Sequence, residues 1–239
     1  MIVTSLLQYI IFYITDTFIY KYIKKESTRY FLLHFIFNMY MVYVTWNTFM
    51  SCLFQPLSIF DEDYNYYSIL STVSIMNFHL YHLLTHIEEL SMETMLHHLI
   101  GAIVNPIITI FYPIGKLPVM HNIILCGIPG GIDYLLLVLV KYDIIEKMTE
   151  KKINRFLNLL VRWPFIFLSN YLILLNVYND NIVIPFLIFF SIFINNFNAI
   201  YFCDKVIGNY YITNIELEHK KQITNLENLY TSTLKQHYA

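Results

Sequence analysis

Residues 119–140 read VMHNIILCGIPGGIDYLLLVLV, a run whose only polar side chains are His121, Asn122, Cys126, Asp133 and Tyr134. A helix rises about 1.5 Å per residue and the hydrocarbon core of a bilayer is about 30 Å thick, so roughly 20 mostly apolar residues span it. Lipid offers no partner to backbone N–H and C=O groups, and a run of this length satisfies them internally as a helix. Six further runs have the same character: Ile2–Tyr20, Tyr30–Phe54, Tyr66–His86, Met95–Tyr112, Leu157–Val177 and Ile182–Cys203. The sequence predicts an all-α, multi-pass transmembrane bundle of about seven spans.

The composition agrees. Hydrophobic residues make up 57% of the chain and charged residues 13%, against about 25% charge in soluble domains. Too few polar side chains exist to coat a water-facing globule. Aromatics reach 18%, and Tyr and Trp suit the headgroup level, where a ring is half buried and its polar tip wet. A net charge of −2 predicts no nucleic-acid partner. Cys52, Cys126 and Cys203 are odd in number, far apart and set in apolar runs, which predicts free thiols. The first fifteen residues lack a basic leader and a small-residue cleavage site, so they are expected to be a retained first span.

Charge asymmetry sets the orientation. Lys21, Lys24, Lys25 and Arg29 follow the first run. Lys141, Lys147, Lys151, Lys152 and Arg155 lie between the fifth and sixth. Lys205, Lys220, Lys221 and Lys235 follow the seventh. With seven spans these segments share one side and hold 13 of the 15 basic residues, leaving Lys116 opposite and Arg162 near the start of the sixth run. The positive-inside rule then places the N-terminus outside or lumenal and the C-terminus in the cytoplasm. Residues 1–28 form a first span with a basic loop, 29–203 a six-span domain, and 204–239 a tail. In the tail Ile212, Ile215, Ile223, Leu226 and Leu234 recur at three–four spacing, with His219 and Tyr230 between them. That pattern predicts an amphipathic helix, able to lie on the membrane or to pair in a homo-oligomer; a solvated tail is the alternative.

Ionisable groups at membrane depth are costly and usually face a cavity or a partner. Such positions here are His34, His79, His82, His86, His97, His98, His121, Asp16 and Asp133. His79, His82 and His86 fall on one helix face, which suits metal binding, proton relay or headgroup contact, and equally suits hydrogen bonds to neighbouring helices. His97 and His98 point about 100° apart and can line one wide cavity. Glu88, Glu89 and Glu93 sit beside them, and Glu93 can reach His97 at i, i+4; the same acidic residues also suit a capped helix start. Gly127-Ile128-Pro129-Gly130-Gly131-Ile132-Asp133 holds three of the six glycines. It predicts either a broken helix whose freed carbonyls and Asp133 line a site, or a kink for close packing. Arg162 and Trp163 read as interface anchors, and Pro164 as a residue of the first turns of its span.

These stretches resemble the TLC-domain family, which includes ceramide synthases. Lys25-Glu26-Ser27-Thr28-Arg29 with His34 is similar to the family's opening segment. Met92-Glu93-Thr94-Met95-Leu96-His97-His98 resembles its acidic residue followed by paired histidines. Gly127 to Lys141, with Asp133, is similar to its acidic motif ending in lysine. Asn158, Arg162 and Pro164 resemble a late cluster in non-synthase relatives. The chain departs from the synthases where Pro129, Gly130 and Gly131 replace a histidine–aspartate pair, and where His82 replaces an acidic residue of the third span.

The resemblance implies an endoplasmic-reticulum protein that binds or senses membrane lipid and influences lipid composition. His34, His82, His121, Gly127, Pro129 and Gly130 would then line a cavity, with no cofactor. The alternative it implies is acyl-CoA-dependent N-acyl transfer. There His97 or His98 is the general base, Asp133 orients a histidine or the amine, and acyl-CoA is a substrate. Two further classes stay open. A metal-dependent oxygenase would use His82 and His86 with the histidine pair, although its family needs more histidines. A transporter would show inverted halves, which the sequence lacks.

Overall fold

The computed structural model describes residues 2–59, 66–85, 91–112, 115–180 and 186–237. Among the described residues the chain is all-helical, with no strand. Seven long rods follow one another: α1 (Ile2–Tyr22), α2 (Glu26–Phe54), α3 (Tyr66–Thr85), α4 (Met92–Phe111), α5 (Leu117–Lys141), α6 (residues 147–180) and α7 (Phe186–His237). Five of them, α1, α4, α5, α6 and α7, are long and apolar enough to cross a membrane. The other two carry the bundle's polar interior, which lowers their hydropathy. α2 buries His34, Asn38, Thr45 and Thr48, and α3 buries Ser71, Thr72, Ser74, Asn77, His79 and His82. His86, Glu88 and Glu89 lie outside the described residues.

The surface is inverted relative to a water-soluble fold. α1 presents Leu6, Leu7, Ile10, Ile11, Ile14 and Phe18 outward, while Gln8, Phe12, Asp16 and Ile19, spaced for one helix face, turn inward. Gln8 Nε2 donates to Ser74 Oγ (2.5 Å) and Asn77 Nδ2 donates to Gln8 Oε1 (2.7 Å). Two turns further along the same face Asp16 pairs with Arg29 (3.1 Å) and accepts from Tyr81 Oη (2.8 Å). With no hydrophobic drive between helices in lipid, such interhelical bonds and close packing hold a bundle together. Asp16 is thereby a structural anchor of α1.

Among the described residues three helices widen into π turns, His98–Val104 in α4, Ile123–Gly127 in α5 and Asn158–Arg162 in α6. Each ends two residues before a proline: Pro106, Pro129 and Pro164. Proline lacks an N–H and its ring crowds the preceding turn, so the ladder shifts to a wider register. The helix therefore stays continuous through Gly127 to Asp133 and is not broken there. The glycines serve packing instead. A Cβ on Gly127 would come within 3.0 Å of Val42, one on Gly130 within 3.0 Å of Asn38, and one on Gly131 would collide with the Met39 side chain. α2 thus lies directly on the glycine face of α5.

Two boundaries differ from the sequence reading. α6 starts at Lys147, ten residues before the apolar run, because Met148, Glu150, Asn154 and Leu157 bury one face of its polar first turns. Pro164 is consequently mid-helix. α7 does not end at Cys203 but runs on as one helix to His237, and residues 215–233 are exposed on all sides. At 52 residues it is about 78 Å long, more than twice a hydrocarbon core.

Candidate functional site

α2, α3 and α4 bring His34, His79 and His98 together. One ring nitrogen of each lies within 4.8 Å of the others, and all three residues are buried. Each ring is tied to its own helix in the same way. His34 Nδ1 meets Tyr30 O at 2.9 Å, His79 Nδ1 meets Ile75 O at 2.8 Å and His98 Nδ1 meets Thr94 O at 2.7 Å, each four residues back. A carbonyl can only accept, so every Nδ1 carries the proton and every Nε2 keeps its lone pair. His98 is 3% exposed, and its Nε2 has no hydrogen-bond partner among the described residues.

The cluster forms part of the wall of a partly enclosed cavity of about 350 Å³. His97, Asn38, Gly130, Asp133, Tyr134 and Arg162 also line it. His97 packs on Phe202 (4.6 Å between ring centroids) and hydrogen-bonds Asn198. Glu93 does not orient the pair: its carboxylate accepts from Tyr201 Oη (2.7 Å) and from Lys205 on α7. Ser91 caps α4 instead, its Oγ accepting from Thr94 N at 3.1 Å.

A ladder of amides supports the opposite wall. Asp133 Oδ1 accepts from Asn154 Nδ2 at 2.6 Å, Asn158 Nδ2 donates to Asn154 Oδ1 at 2.9 Å, and Arg162 Nη1 donates to Asn158 Oδ1 at 3.0 Å. Asn154, Asn158 and Arg162 stand at i, i+4 and i+8 on one face of α6. Beneath them Glu150, 1% exposed, pairs with Lys151 at 3.2 Å. Arg162 forms no ion pair among the described residues, and its buried Nε has no hydrogen-bond partner there.

The remaining expected site residues separate from this cavity. His82 stacks flat on His34, with centroids 4.2 Å apart and planes 4° apart, and does not line the cavity. His79 and His82 diverge because i and i+3 differ by about 60° around a helix, enough to send one into the cavity and the other between α2 and α3. His121 is held by Ser169 (2.8 Å) and Asn195 (3.1 Å). It lines a second hollow of about 60 Å³, whose walls share His79, His97, Leu125, Cys126 and Asn198 with the larger cavity. Gly127 belongs to the α2–α5 packing, Pro129 is buried in α5, and neither lines the larger cavity. His34, His97, His98, Gly130 and Asp133 do share it. The sequence reading placed Arg162 at the interface; its four-residue spacing from Asn158 and Asn154 is the signal of its inward face.

The arrangement combines neutral imidazole lone pairs with one carboxylate and one guanidinium that feel each other's charge without forming an ion pair, inside a helix bundle. Comparison of the chain with models of protein families, with curated proteins and with solved structures returned no match.

Proposed function

We propose that this chain is a seven-span integral membrane protein of the TLC type that binds the polar head of a membrane lipid in this cavity and thereby influences lipid composition. It resides in the endoplasmic reticulum, with its N-terminus lumenal. The alternation of α1 to α7 supports seven spans, because it puts the basic segments around Lys21–Arg29, Lys141–Arg155 and the end of α7 at one end of the bundle. The cavity is reached near that end. His34 is eight residues from the start of α2, and Asp133 eight from the end of α5, about 12 Å each.

The observation that carries the reading is Arg162. A guanidinium is always charged and suits bidentate contact with phosphate or carboxylate oxygens. Here it lines a cavity of pocket size with no carboxylate at ion-pair distance among the described residues, and Asp133 acts on it only at longer range. The cavity accommodates a headgroup, and the acyl chains stay between or outside the helices. Native mass spectrometry of the full-length protein in phospholipid nanodiscs tests this. One phospholipid is expected to stay bound after annular lipid is stripped, and Arg162→Gln to reduce its retention at least tenfold. Equal retention by wild type and variant would overturn the reading.

The buried lone pair of His98 supports a second reading, acyl transfer from acyl-CoA with that nitrogen as general base. Among the described residues no histidine hydrogen-bonds Asp133, which is engaged by Asn154. Labelled long-chain base and acyl-CoA, given to membranes containing the protein, would yield N-acylated product that disappears with His98→Ala.

A further inference from the structure

We propose that His34, His79 and His98 form a binding site for a divalent transition-metal cation, with zinc as the first ion to test. The site goes beyond the lipid reading and does not depend on it.

Three features converge on a metal. The first is the donor set. Three neutral imidazoles with an open fourth position are an established zinc arrangement, and imidazole also suits copper, iron and nickel. The second is that the donors are preset. Every Nδ1–H is committed to a carbonyl of its own helix, the type of outer contact that fixes tautomer and ring direction in metal sites. Binding at Nε2 then needs no proton to leave. The third is that burial without a partner costs free energy. A buried acceptor such as His98 Nε2 loses its water without a replacement, and a cation replaces it.

The spacing is close but open. Zinc–nitrogen bonds of about 2.0–2.1 Å at tetrahedral angles put the nitrogens about 3.4 Å apart. The present spacing of up to 4.8 Å closes with small shifts of α2, α3 and α4, which carry one donor each, and leaves each Nδ1–H on its own carbonyl. Asp133 is the one carboxylate lining the same cavity among the described residues, and the Arg162 guanidinium on the same lining acts against its charge, so the three imidazoles and the fourth ligand are what hold the ion. Water or an oxygen of a cavity ligand takes the fourth position. Sequence spacing alone does not reveal the site, since its members are 45 and 19 residues apart along the chain.

Full-length protein in detergent, stripped with chelator and then equilibrated with zinc in a metal buffer, is expected to hold one zinc per chain by elemental analysis. His34→Gln, His79→Gln and His98→Gln should each lower zinc affinity at least tenfold, while His219→Gln on the exposed part of α7 leaves it unchanged. Cobalt loading gives a readout that a folding defect cannot imitate. His98→Cys is expected to bind cobalt with a thiolate-to-metal absorption band absent from wild type. Failure of the stripped wild type to take up zinc or cobalt, or unchanged zinc affinity in the three glutamine variants, would overturn the proposal. Lipid retention, measured separately, does not enter either result.

Discussion

The Asp133 carboxylate accepts its 2.6 Å hydrogen bond from the Asn154 amide, so α5 and α6 are joined by a charged group and a neutral one at the cavity wall. Asn154 also touches Glu150 (3.5 Å) and Asn158. One amide therefore serves two carboxylates and one neighbouring amide. Asn154→Leu removes the donor and leaves Asp133 buried beside it, which should destabilise the protein by about 1–3 kcal/mol. Asp133→Asn keeps an oxygen for Asn154 and should cost less than about 0.6 kcal/mol, the typical worth of one whole interhelical bond in a membrane protein. Reversible unfolding of both variants in mixed micelles measures the difference. Equal losses would show that the carboxylate's charge is irrelevant to the joint.

The α2–α5 contact makes a sharper claim. An added Cβ on Gly127 would meet Val42 at 3.0 Å, a β-branched side chain with little freedom to turn away, whereas nothing approaches Gly208 on α7 within 4 Å of one. Gly127→Val should destabilise by about 1–3 kcal/mol through overpacking. Gly208→Ala should stabilise α7 by up to about 1 kcal/mol through helix propensity. Thermal unfolding by tryptophan fluorescence reads both signs, and an undiminished stability of Gly127→Val would mean that α2 gives way at Val42 at no cost.

The rods were legible because each grows from a long, mostly apolar run, so α1 to α5 start and stop within a few residues of their runs. The start of α6 was not, since a polar turn such as Lys147–Leu157 reveals its helical face only through what it packs against. The site divided in the same way. His97, His98, His34 and Asp133 stood out as costly groups at membrane depth, and they do share a cavity. The roles of His79, Arg162 and His82 depended on which way neighbouring faces of α3 and α6 turn. A rotation of about 100° per residue converts a misplaced packing angle into a different environment. Pro129 marked an irregular turn correctly as a position, but its effect was a wider register and not a gap.

Orientation can be tested chemically. With seven spans, the link after α2 and the start of α6 lie on opposite sides of the membrane. In a Cys126→Ser background, where Cys52 and Cys203 are buried, Lys147→Cys should react with a membrane-impermeant maleimide from the cytoplasmic side of sealed microsomes. Ser58→Cys should react only after permeabilisation. Labelling of both from one side would require an even number of crossings between them different from the three that α3, α4 and α5 provide.

His121 offers the last separation of structure from function. Its two ring nitrogens are engaged, Asn195 Nδ2 donating to Nδ1 and Nε2–H donating to Ser169 Oγ. Asn195 Oδ1 in turn accepts from Asn105 Nδ2 (2.8 Å), and Ser191 donates to Asn105. One imidazole thereby joins a chain of donors and acceptors that runs through α4, α5, α6 and α7. His121→Leu leaves the Asn195 amide and the Ser169 hydroxyl without their partner in a water-poor interior, and should cost about 1–3 kcal/mol. Because no nitrogen of His121 is free for a ligand, retention of phospholipid and of zinc per folded molecule should match wild type. A stable His121→Leu protein that has lost the bound lipid would reverse that assignment and make the small hollow part of the binding site.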